Sequence, residues 1–75
     1  MMPLTLLRNG EKGEIVDFIK KGKAIFCHLR DMGINVGKTV EVISNQSHGP
    51  ILLKIDESRI AIGRGMAMKI LVRRL

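Results

Sequence analysis

Apolar positions along this chain fall into short runs separated by turn residues, and only one run has the spacing of a helix. Residues 3–7 are apolar, stand as the first short strand and end at Asn9-Gly10, a strong turn dipeptide, with residues 11–13 continuing the turn. Residues 14–19 supply Ile15, Val16, Phe18 and Ile19, the β-branched and aromatic side chains that suit a strand. Lys20-Lys21-Gly22-Lys23 breaks the pattern as a solvated connection. Residues 24–32 read as a helix, because Ile25, Leu29 and Met32 recur at i, i+4 and i+7 and share one face. Gly33 stands where a left-handed residue would end that helix, with Ile34 folding back as the apolar contact of a Schellman motif. So short a helix must be held by packing.

The remainder reads as strands. Residues 39–44 alternate over Val40-Glu41-Val42, residues 45–50 are turn chemistry (Asn45, Ser47, Gly49, Pro50), and residues 51–55 form the next strand. Asp56-Glu57-Ser58 connects tightly into residues 59–62, Gly63-Arg64-Gly65 interrupts, and residues 66–72 close with a single 3₁₀ turn and a last strand. Five to six short strands at intervals of roughly ten residues, with one inserted helix at about 24–32, predict a mainly β fold: a small SH3-like barrel. An OB-type barrel is the nearest competitor. Rolling the sheet up also answers the edge problem of an open sheet.

Composition bounds the rest. With 75 residues and 8.4 kDa, 45% hydrophobic and 27% charged, the expectation is one globular domain over residues 1–75. The apolar runs are far too short to cross a bilayer as a helix. Residues 1–7 are too short for the apolar core of a signal peptide and run into Arg8. One cysteine excludes an internal disulfide framework and fits a reducing compartment, so the expected location is cytoplasmic.

The formal charge is +6. No acidic residue follows Glu57, whereas Arg59, Arg64, Lys69, Arg73 and Arg74 do. Such an end suits either an anionic partner (nucleic acid, lipid headgroups, an acidic protein face) or plain solvation. With two Phe, no Tyr and no Trp, the chain lacks the aromatic platforms that stack single-stranded bases or line proline-rich grooves.

Catalytic chemistry is poorly supplied. Cys27 and His28 are candidate metal ligands, with His48 in a later loop, but neighbours on a helix diverge by about 100° and none of the closed-zinc spacings is present. Ser44, Ser47 and His48 lie in a turn-rich loop with no evident carboxylate to orient the histidine. Asp56-Glu57 is a solvated connection, and a barrel this small leaves no interior cavity for a small-molecule substrate. Gly63-Arg64-Gly65 starts like a phosphate loop, but no Gly-Lys-Ser follows. The reading is a non-enzyme without a firmly implied cofactor. A metal-sensing variant of it predicts saturable Fe(II) or Zn(II) binding, lost when Cys27, His28 and His48 change together.

Leu29-Arg30-Asp31-Met32-Gly33-Ile34, Gly37-Lys38-Thr39-Val40, Gly49-Pro50-Ile51 and Ile60-Ala61-Ile62-Gly63-Arg64-Gly65-Met66-Ala67, in that order and spacing, resemble the FeoA family, as does the opening from Leu4 to Gly13. These are small cytosolic components of bacterial ferrous iron transport systems. The resemblance covers nearly the whole chain and implies an SH3-like barrel acting beside FeoB, a membrane iron transporter with a cytosolic GTPase region. The same domain type ends iron-dependent repressors as an interaction module, and family members are often described as transition-metal-binding. The expected contact surface is Arg30 and Asp31 on the helix with the turn at Gly63, Arg64 and Gly65, and any membrane association is indirect, through the partner at the inner membrane. The alternative is a basic small-barrel nucleic-acid-binding protein, marked by salt-sensitive duplex binding.

Overall fold

The computed structural model describes residues 1–19 and 23–75, and the side chains of residues 1–19 and 27–75. Its strands are β1 (Met2–Pro3), β2 (Lys12–Phe18), β3 (Thr39–Ser44), β4 (Ile51–Ile55), β5 (Ser58–Ile62) and β6 (Ile70–Arg74). Helix α1 (Lys23–Asp31) lies between β2 and β3, and the short α2 (Arg64–Ala67) between β5 and β6. All pairings are antiparallel, in the order β1-β6-β2-β3-β4-β5.

A flat sheet of six strands would set its outer strands about 24 Å apart. Yet Leu4, Ile15, Val40, Leu53, Ile62 and Val72, drawn from both ends of that order, share one buried cluster. The sheet therefore curls around its own apolar face, as the expected barrel requires. Every buried side chain among the described residues is hydrophobic.

Two bulges shape the curl. Ile15 faces Val72 and Asp17 faces Leu71, so Val16 is an extra residue on β2. Val42 faces Leu53 and Ser44 faces Leu52, so Ile43 is extra on β3. The first explains why β2 buries Gly13, Ile15 and Phe18 instead of keeping strict alternation.

Strands 39–44 and 51–55 stand where the sequence puts them. The helix is one residue earlier than expected, and it ends as expected. Gly33 has φ +85°, its N–H donates to the Arg30 carbonyl at 3.0 Å, and the Ile34 N–H donates to the Leu29 carbonyl at 2.9 Å. Leu29 and Ile34 are both buried and Met32 packs against the core. The Ile25 side chain and the connection at residues 20–22 lie outside the described residues.

Three expectations are corrected. Residues 3–7 are not a strand: β1 stops at Pro3 and Leu4–Leu6 form a 3₁₀ turn, which tucks Leu4 and Leu7 into the core. Gly13 is not part of a turn. It lies inside β2, where a Cβ would meet Leu7 Cδ1 at 3.0 Å and Val72 Cβ at 3.2 Å. Glycine is required there by close packing, a constraint carried by residues far away in sequence. The turn before the last strand is a short α-helix beginning at Arg64.

Candidate partner-binding surface

Among the described residues no buried side chain is polar, and the polar side chains are part-buried or exposed. On α1, burial of Leu29 turns the intervening positions to solvent: Cys27, His28, Arg30 and Asp31 are all exposed. His48 is exposed in the loop before β4, with its Nε2 3.4 Å from Ser47 Oγ. Among the described residues, no three His, Cys, Asp or Glu side chains gather closely enough to hold a metal ion. Adjacent and divergent, Cys27 and His28 do not fit a closed metal centre.

The turn at Gly63, Arg64 and Gly65 divides by side chain. Both glycines are exposed, neither has positive φ, and an added Cβ at either would find open space within 4 Å. Among the described residues, nothing in the packing demands glycine at 63 or 65. Arg64 is half-buried and turned onto its own chain. One guanidinium nitrogen donates to Asn45 Oδ1 at 3.0 Å and to the Gln46 carbonyl, while its buried Nε has no partner among the described residues.

Asn45 is the hub that sequence reasoning missed. Its side-chain nitrogen donates to the carbonyls of Thr5 (3.0 Å) and Leu7 (2.6 Å), and its backbone N–H donates to Asn9 Oδ1 at 2.6 Å. One amide thus ties the 3₁₀ turn, the loop before β4 and α2 together. In sequence, Asn45 is indistinguishable from any other turn residue.

The acid-free C-terminal stretch is partly neutralised in space. Arg73 faces Glu14 across β6 and β2 and ion-pairs with it, and Arg74 Nε lies 3.2 Å from Glu11 Oε2. Glu11 also caps the Arg8 N–H at 2.7 Å. With Arg64 committed internally, the sequence-level basic end is not a continuous cationic face.

The FeoA domain family model matches residues 2–74, nearly the whole chain. The chain belongs to the FeoA family. A Methanocaldococcus jannaschii protein named Fe(2+) transport protein A is 46% identical over 72 residues, covering 96% of this chain and 85% of that one. A crystal structure of an iron uptake regulatory protein (FeoA) superposes with a TM-score of 0.92 at 34% identity, covering 99% of this chain and 97% of that one. A manganese-dependent transcriptional repressor contains the same fold at TM-score 0.92 and 21% identity, over 99% of this chain and 41% of its own. The chain is thus a small, mainly β member of this ferrous iron transport family, with the SH3-like fold expected from its sequence. No described helix is long and apolar enough to cross a membrane.

Proposed function

We propose that this FeoA-family chain is a non-enzymatic accessory protein of ferrous iron uptake, which binds the cytosolic part of a FeoB-type transporter from the cytoplasm and reaches the inner membrane only through it. Iron is the transporter's cargo in this reading. The observation that carries it is the pair of exposed glycines at 63 and 65, which no contact among the described residues and no backbone angle requires. Glycine at such a position suits the close approach of another molecule's surface to the backbone. Arg30 and Asp31, exposed on α1, form the second element of the contact surface. An all-hydrophobic set of buried side chains also supports a body whose outside does the work.

The nucleic-acid reading is less well supported, because Arg73 and Arg74 are paired with carboxylates and Arg64 with its own loop. Co-purification tests the proposal. A tagged chain expressed with its transporter should retain FeoB from solubilised membranes. Charge reversal at Arg30 and Asp31 together, in a chain that stays folded, should weaken that retention. Failure of the unaltered chain to retain any FeoB contradicts the proposal.

A further inference from the structure

Strand β5 ends the sheet: it pairs with β4 on one side and, among the described residues, with no strand on the other. The two-residue connection Asp56-Glu57 closes the hairpin on Ile55 and Ser58. A tight turn closes on a hydrogen-bonded pair, and antiparallel partners then alternate between bonded and unbonded. Counting from that closure, Arg59 and Ala61 turn their N–H and C=O groups away from β4. Such an edge is a template for another strand unless something blunts it. The opposite edge, β1, is only two residues long and contains Pro3.

Two further observations fall on the same strand. Ile60 faces Leu53 across the hairpin, yet Leu53 is fully buried while Ile60 remains partly exposed at the rim of the core. Lys54 directly faces Arg59 on the outer side, both exposed, and among the described residues neither side chain makes an ion pair. Like charges placed opposite one another oppose pairing. The adjacent Asp56 is engaged with Lys38 at 2.9 Å. Across the sheet the row reads Lys12, Glu41, Lys54, Arg59, three cations to one carboxylate.

A second copy fits this edge poorly, since β5 carries no acidic side chain to set against Arg59 and Lys54. A nucleic acid would use the cations but neither the backbone edge nor Ile60. An extended segment alternating acidic and apolar residues uses all three. We infer that β5 is a strand-addition site for an extended acidic–apolar segment of the protein's partner. That segment bonds to the backbone of Arg59 and Ala61, sets carboxylates against Arg59 and Lys54, and lays an apolar side chain over Ile60. The strand runs directly into Gly63, so the added segment continues the turn surface proposed above. The inference rests on the FeoB reading only for which protein carries the segment.

The test uses the isotope-labelled chain with two probes, a short synthetic peptide alternating Glu and Val and the cytosolic region of FeoB. Both should shift the amides of residues 59–62 and slow hydrogen exchange at Arg59 and Ala61. Arg59→Glu, which gives Lys54 an opposite charge to face, and Ala61→Pro, which removes only an outward N–H, should keep a folded spectrum and weaken both probes by about tenfold. Protection of β5 by the peptide without FeoB binding supports the edge and removes FeoB as the partner. A FeoB complex that leaves β5 amides unchanged keeps the transporter reading and overturns the strand-addition site, as do equal effects from a Lys–Val peptide.

Discussion

Arg64 donates to the side-chain oxygen of Asn45 over 3.0 Å, and the nitrogen of that same amide donates to the Leu7 carbonyl at 2.6 Å. The arginine is thereby joined to the N-terminal 3₁₀ turn through one side chain. Removing the amide takes a donor from two backbone carbonyls in a partly buried place and leaves Arg64 only the Gln46 carbonyl. Asn45→Ala should therefore destabilise the fold by about 1–3 kcal/mol, read as a lower urea midpoint. Asn45→Asp keeps an acceptor for Arg64 but loses both donations, and should also destabilise. An unchanged midpoint for both variants would show that the hub contributes nothing.

Gly65 separates folding from binding. Inside a short helix with open space around it, alanine should raise stability by about 0.5–1 kcal/mol. If FeoB approaches the backbone at this turn, the same Gly65→Ala change weakens its binding. Thermal unfolding and a binding titration on one variant give both readouts. Higher stability with unchanged affinity excludes the turn from the interface.

Gly13→Ala should act in the opposite sense. The new methyl meets the stiff, β-branched Val72 as well as Leu7, in a core with little slack. Overpacking of this kind costs about 1–3 kcal/mol, and chemical denaturation measures it. A neutral outcome would mean that Leu7 moves aside freely.

Glu11 and Glu14 each pair with an arginine that is itself exposed to solvent. Neutralising both as Glu11→Gln with Glu14→Gln should leave stability within about 1 kcal/mol, since the pairs are largely exposed. The same change should strengthen duplex-DNA binding and steepen its dependence on salt, by about 0.9 in logarithmic slope for each arginine that reaches a phosphate. A salt slope identical to that of the unaltered chain contradicts this account of the basic end.

The sequence was most informative where one residue type has one physical use. Gly33 after an i, i+4, i+7 apolar face marks the helix end, and its positive φ follows. Alternation in residues 39–44 and the mostly apolar run 51–55 mark strands to the residue. Legibility fails where the deciding partner is remote. Gly13 reads as a turn glycine until Val72 is known to lie against it, and residues 3–7 read as a strand until Leu4 and Leu7 are seen to turn inward together. Of the proposed contact residues, Arg30, Asp31, Gly63 and Gly65 are exposed, whereas Arg64 is engaged by Asn45 and Gln46, a pairing no local spacing reveals.

Calorimetric titration of the purified chain into the cytosolic region of a FeoB-type transporter tests the central claim most directly. The account predicts a saturable complex that forms without added iron and persists when Cys27, His28 and His48 are all replaced by alanine. A complex that requires Fe(II) together with those three residues, or no complex with a FeoB region that still binds nucleotide, would contradict it.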